Sequence, residues 1–350
     1  MAPKVQTVLG DVDPKSLGRT LTHEHLAMDF SEMYSKHVLP LKRIDEKPFN
    51  IGNIGTVRQY PYSSMHNLFL NDEEAKVAIL EDLHDYKEWG GGTIVENSTE
   101  GLKRDVTYYK KMSQESGVQI VAGTGFYIER CQEEFNKNIT TEQMYNHMLQ
   151  ELTEGCVDDK TVKAGFMGEV ASVWPIRDFE RRAIVAAGEL QKQIGCGVSF
   201  HPHREVEAPF EIVRLYLEAG GSADKCVMSH LDRTLADDSK LLEFSELGTY
   251  CQFDLFGVEV SYYQLNETFD MPSDAQRISK VKLLVDEGKA DRVLMSHDIH
   301  TKHRLAAYGG HGYSHILRTV LPKMKVKGFD QETIDKITIE NPARWLTFDN

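Results

Sequence analysis

The chain has 350 residues, 41% of them hydrophobic and 27% charged, and its 54 acidic against 40 basic side chains give a formal net charge of −14. That charge repels phosphate backbones and anionic lipid, so neither nucleic acid nor a membrane is expected as a partner and a small-molecule substrate is. Five scattered cysteines (Cys131, Cys156, Cys196, Cys226, Cys251) form no Cys-x-x-Cys pair, and no run approaches the ~20 apolar residues of a membrane span. With no signal-like stretch at residues 1–6, a cytoplasmic protein with reduced thiols is expected.

The first predicted strand, 20–22, runs into Thr22-His23-Glu24-His25. On a strand, residues i and i+2 share a face, so His23 and His25 offer two imidazoles to one side while Glu24 turns away. The segment 27–71, rich in Pro and Gly, separates this strand from its helix, and a loop that long serves either as a lid or as a structural tether. A helix is then predicted over 73–89, a strand over 93–96, a helix over 104–116, a strand over 119–122 and a helix over 141–154. The strand at 165–168 delivers Glu169, and the helix at 176–194 leads to the strand 198–200, which delivers His201. After the helix 209–219, the strand 227–229 delivers His230. The helix 239–247, the strand 250–253 and the helix 275–287 follow, and the strand 292–295 leads into His297 and Asp298. Gly90, Gly117, Gly195 and Gly220 stand where four of the helices stop. Eight strand–helix units with no domain-scale linker predict a single α/β domain over 1–350, a closed (β/α)8 TIM barrel whose strand ends gather at one mouth.

Five strand ends thus carry His, Glu, His, His and Asp. Imidazoles and carboxylates with no thiolate among them are the donors that suit zinc and its first-row relatives. Six donors exceed the four that one tetrahedral zinc needs, so two divalent ions are expected, and zinc is the expected metal.

The stretches 18–26 (GRTLTHEHL), 166–170 (FMGEV), 226–234 (CVMSHLDRT), 253–257 (FDLFG), 296–301 (SHDIHT) and 308–317 (YGGHGYSHIL) resemble those of the phosphotriesterase family of the amidohydrolase superfamily. The resemblance runs over nearly the whole chain and is nearest to the animal branch of that family. It implies that His23, His25 and Asp298 hold one metal, that His201 and His230 hold the other, and that Glu169 bridges them where phosphotriesterases and lactonases use a carboxylated lysine. Ala171 stands where close relatives often have glycine, and His203 adds an imidazole beyond His201.

Two divalent cations against two carboxylates and a bridging hydroxide leave a net charge of about +1, so the centre stays electrophilic and can activate water for hydrolysis. Asp298 is the expected proton shuttle, oriented by His230 or by the neighbouring His297 and His300. The resemblance further implies an amidase acting on N-acetyltaurine or related N-acyl amino compounds. A sulfonate needs a cation, for which Arg204, Arg233 and Lys302 are the candidates, with Tyr127 lining the pocket and Glu96 and Asp254 supporting the ligands. The run Gly309-Gly310-His311-Gly312-Tyr313 lacks the Walker pattern and reads as a turn before a helix. The competing readings are a phosphotriesterase or lactonase-type esterase, disfavoured by glutamate at the bridge; a mononuclear deaminase, which has no use for Glu169; and a non-enzymatic, metal-bound binding protein. The sequence leaves a homodimer open.

Overall fold

The computed structural model describes residues 3–36, 41, 43–45 and 48–348. A two-stranded antiparallel hairpin, β1 (Val5–Thr7) and β2 (Gly10–Val12), precedes eight parallel strands. These are β3 (Arg19–Glu24), β4 (Gly91–Glu96), β5 (Gln119–Thr124), β6 (Phe166–Ala171), β7 (Val198–His201), β8 (Cys226–Met228), β9 (Tyr250–Phe253) and β10 (Val293–Met295). Each pairs with the next in sequence, from β3 through to β10. The two end strands then meet: the Asp298 amide donates to the His23 carbonyl at 3.0 Å and the His23 amide to Ser296 Oγ at 3.0 Å. The result is a nearly closed (β/α)8 barrel, as the sequence predicts.

The connecting helices Glu73–Glu88, Val106–Ser116, Thr141–Thr153, Asp178–Ile194, Ala208–Glu218, Asp238–Ser245 and Asp274–Asp286 lie within two residues of their predicted bounds. Their starts are chemically marked. Asp72, Asp105 and Asp237 accept from the helix's own amides, and Thr140 and Ser273 each form a reciprocal pair with a glutamine three residues on. The hairpin and the helices after β10 (Leu321–Val326, Gln331–Asp335 and Asn341–Leu346) are additions that strand–helix alternation alone did not suggest.

Alternate strand residues fall into two apolar clusters, as opposite faces of a strand must. On β8, Cys226 and Met228 join the large cluster under the helices, whereas Val227 joins a small one with Val95, Val121, Phe166, Tyr250 and Leu294. This small cluster fills the lower barrel interior and is closed by Trp345, whose ring meets Phe166 at 5.4 Å between centroids. A Cβ on Gly197 would lie 2.5 Å from the Trp345 indole nitrogen, so the seal requires glycine there. Above it the interior turns polar, with Ser229 Oγ hydrogen-bonded to both Ser199 Oγ and Gln252 Nε2.

The described parts of 27–71 fold over the mouth; 37–40, 42, 46 and 47 lie outside the described residues. Gln264, from the loop between β9 and its helix, accepts from the Tyr62 amide at 3.0 Å and donates to Ser63 Oγ at 2.7 Å. Two long loops from distant parts of the chain are therefore clasped together above the strand ends.

Candidate metal centre

All six side chains expected as ligands come together at the carboxyl ends of the strands. His25 Nε2 lies 3.2 Å from Asp298 Oδ1, and His23 Nε2 lies 3.8 Å from the same oxygen. Glu169 sits between the two halves of the group. Its Oε1 is 3.8 Å from His25 Nε2, while its Oε2 is 3.4 Å from His23 Nε2, 3.6 Å from His230 Nε2 and 2.7 Å from His201 Nδ1. Donor atoms of His23, His25 and Asp298, and separately of His23, Glu169 and His230, lie within 4.8 Å of one another. His201 Nδ1 and His230 Nε2 face each other at 2.9 Å.

These residues fit a pair of divalent ions. His23 Nε2 is fully buried and finds no hydrogen-bond partner among the described residues, although it points between two carboxylates. A buried polar atom without a partner is costly, and a cation between His23, Glu169 and Asp298 would satisfy it. The electrostatics agree. Burial alone would lower the His23 pKa, but the adjacent Glu169 carboxylate and the charges of Asp254 and Asp298 raise it to about 10. Burial opposes ionisation of Glu169 and Asp298 too, yet the surrounding imidazoles hold both well below the carboxylate range. His201, by contrast, is pushed down to about 3 by burial. The cluster therefore keeps its carboxylates ionised and traps a proton on His23, which a metal would displace.

Three of the four imidazoles are oriented from behind. His230 Nδ1 meets Asp254 Oδ1 at 2.7 Å, and the His230 amide donates to the same carboxylate. His25 Nδ1 meets Ser98 Oγ at 2.9 Å, which in turn donates to Glu96 at 2.7 Å. His23 Nδ1 meets Ser229 Oγ at 3.1 Å. Glu96 and Asp254 thus stand where the sequence expected supporting groups, fixing which nitrogen is free to face a metal. His230 and Asp298 both adopt left-handed backbone conformations, with φ of 58° and 55°. Such conformations are rare for residues with a Cβ and are held only by the surrounding structure.

A cavity of about 430 Å³ opens onto this centre and is lined by His25, Glu169, His201 and Asp298. Arg204, Arg233 and Tyr127 also line it. Arg204 Nε donates to Tyr263 OH at 2.9 Å, and Arg233 Nη2 lies 3.2 Å from His201 Nε2. Neither guanidinium pairs with a carboxylate among the described residues. Lys302 is not brought to the cavity: its buried ammonium pairs with Asp72 beneath the 27–71 loop. His297 does not orient Asp298 either, because its Nδ1 contacts Glu24 at 2.8 Å and its Nε2 accepts from the Ile316 amide. His300 does, through Nδ1 at 3.2 Å from Asp298 Oδ2, and its Nε2 meets Tyr62 OH at 3.0 Å. His203 does not line the cavity. Residues 309–313 form the expected turn, with Tyr313 OH donating to the His25 carbonyl at 2.8 Å. Sequence reasoning missed Tyr62, Tyr263 and Arg304 in the lining. Tyr62 and Tyr263 lie in irregular loops with no periodic signal, and Arg304 was separable only as a cation close behind SHDIHT.

A parallel barrel with this donor set at its mouth defines a metal-dependent hydrolase. Comparison with known proteins narrows the class. The phosphotriesterase family model matches residues 3–346, and the chain belongs to that family. It is 54% identical over 346 residues to a phosphotriesterase-related protein of Drosophila mojavensis, covering 99% of each chain. Among solved structures, a resiniferatoxin-binding protein from Rhodobacter sphaeroides superposes with a TM-score of 0.93 at 26% identity, covering 98% of this chain and 94% of that one. A phosphotriesterase-like lactonase variant from Deinococcus radiodurans matches with a TM-score of 0.76 at 25% identity, covering 98% and 99%. Among the described residues, no helix is long and apolar enough to cross a membrane.

Proposed function

We propose that this chain is a binuclear hydrolase of the phosphotriesterase–lactonase type, cleaving an ester-like bond in a small molecule, with zinc as its metal. The observation that carries the reading is the convergence of His23, His25, Glu169, His201, His230 and Asp298 at the strand ends, where four of them (His25, Glu169, His201 and Asp298) line the cavity. Family membership and the likeness to a lactonase support the ester-type reaction ahead of an amidase. His23, His25 and Asp298 would hold one ion and His201 and His230 the other, with Glu169 reaching both. Metals so held supply Lewis acidity and lower the pKa of water toward ~7. The chain's own residues do the rest. Asp298 accepts the proton that the attacking water loses, and His300 holds Asp298 in place, with Nδ1 donating to the Asp298 carbonyl at 2.7 Å and lying 3.2 Å from Oδ2, while Nε2 faces Tyr62 OH at the cavity wall.

A second reading, hydrolysis of N-acetyltaurine or a related N-acyl amino compound, is favoured by Arg204 and Arg233. Two guanidiniums that face a cavity without carboxylate partners stabilise an anionic group on the substrate, which neutral phosphotriesters and lactones lack. Side-by-side kcat/KM values of the zinc-loaded protein on lactones, paraoxon, N-acyl amino acids and N-acyl taurines test both. Fastest turnover of lactones or phosphotriesters upholds the ester reading, and fastest turnover of an anionic amide replaces it with the second. No turnover of any class by fully loaded protein overturns both and leaves a metal-bound binding protein.

A further inference from the structure

Glu24 stands between the two histidines of the His-x-His pair, points away from the metal side, and is buried completely. Its carboxylate is nevertheless fully occupied. Oε1 accepts from Ser296 Oγ at 2.8 Å, from the His297 amide at 2.9 Å and from His297 Nδ1 at 2.8 Å, while Oε2 accepts from the Ile299 amide at 2.9 Å. The intervening Asp298 amide goes to the His23 carbonyl. Every amide of the turn 297–299 is thereby consumed by β3 or by Glu24. The carbonyls of the same turn are gathered from the other side. Buried Arg304 donates Nη1 to the Asp298 carbonyl and Nη2 to the His297 carbonyl, with a further contact to the Phe256 carbonyl at 3.3 Å. A carboxylate that can only accept and a guanidinium that can only donate thus grip opposite edges of one peptide turn.

The grip encloses the residue with φ of 55°, Asp298. A left-handed aspartate persists only where surrounding bonds determine it, and relaxing the turn would swing its carboxylate away from His25. We propose that Glu24 and Arg304 are positioning residues that together set the Asp298 carboxylate at its metal position. The inference rests on Asp298 being a ligand, and not on which bond the protein cleaves.

Zinc affinity, measured by competition against a chromophoric chelator, tests it on four proteins: Glu24→Gln, Arg304→Lys, Asp298→Asn and the Glu24→Gln/Asp298→Asn double variant. Glu24→Gln puts an amide N–H against a backbone N–H, and Arg304→Lys keeps the charge but loses the fork. Each is expected to weaken zinc binding by about 10–100-fold, the usual effect of losing a group that orients a ligand. In the Asp298→Asn background, Glu24→Gln should add less than about twofold, because the residue it places is already altered. A merely structural role would instead lower the melting point of zinc-free protein and leave the affinity steps additive. Additive steps, unchanged affinity in both single variants, or unchanged affinity in Asp298→Asn each overturn the proposal. Should Glu24→Gln not fold, Arg304→Lys and its double variant with Asp298→Asn decide the matter from the other side of the turn. Hydrolysis of the substrate panel is read separately, so loss of the proposed activity and loss of the grip remain distinct results.

Discussion

Two layers share the interior of this barrel and differ in almost every physical respect. The lower, built from Val95, Val121, Phe166, Val227, Tyr250 and Leu294 and sealed by Trp345, is close-packed and almost entirely apolar. The upper holds Ser199, Ser229 and Gln252 beneath four histidines and two carboxylates, with one imidazole nitrogen unsatisfied and two residues in left-handed conformations. The same strands make both. Stability is therefore concentrated at the amino ends, where nothing reacts, and the carboxyl ends are free to hold costly polar groups in tension.

That division is open to direct attack, and removing metal should hit hardest. Chelation is expected to abolish hydrolysis, with readdition of about two zinc ions per chain restoring it, as followed by elemental analysis alongside rate. One ion per fully active chain would break the two-metal scheme. Next in size, Asp298→Asn should lower kcat by about 10²–10⁴ while much of the metal is retained, because the amide oxygen still ligates weakly but accepts no proton. A fall in rate matched by the fall in bound metal would reduce Asp298 to a ligand. Turning to the lower layer, Trp345→Ala should cost about 3–5 kcal/mol of stability in denaturant titration and leave kcat of the folded fraction unchanged. A changed kcat there would mean that the layers are coupled.

The smallest effect belongs to a carboxylate in neither layer. Burial pushes the Asp82 pKa up to about 7, well above its value of about 3.9 in an unfolded chain. A raised folded pKa means that the stability Asp82 contributes as the neutral acid is fully present below about pH 4 and is lost as pH rises through about 7. Asp82→Asn should therefore flatten the stability profile over that window, with a gain on the order of 1–2 kcal/mol at pH 8. Parallel profiles for both proteins would show that Asp82 titrates normally.

The parts legible in the sequence are those governed by local periodicity and by residue chemistry at fixed offsets. Short apolar runs such as Cys226–Met228, buried on both faces, announced the barrel strands, and the donors just after them announced the centre. What escaped was set by contacts between distant segments. Lys302 lies four residues from Asp298 and was expected at the pocket, yet a loop residue 230 positions earlier, Asp72, claims its charge. His297 adjoins a ligand but turns toward Glu24, whose carboxylate takes both its amide and its Nδ1. Tyr62 is reached only by folding an irregular loop over the mouth. No pattern within a dozen residues encodes such placements.

The clasp of that loop with the one carrying Gln264 gives the molecule a modular economy. The atoms that would drive bond cleavage sit on strand ends that cannot shift without opening the barrel, whereas Tyr62 and Tyr263, which help shape what enters, sit on loops joined by a few side-chain bonds. Substitutions in the loops can alter the preferred molecule while the reactive centre stays as it is. A scaffold so divided lets descendants exchange one diet for another by small steps, and kinship among its members then predicts the kind of reaction better than it predicts the compound consumed.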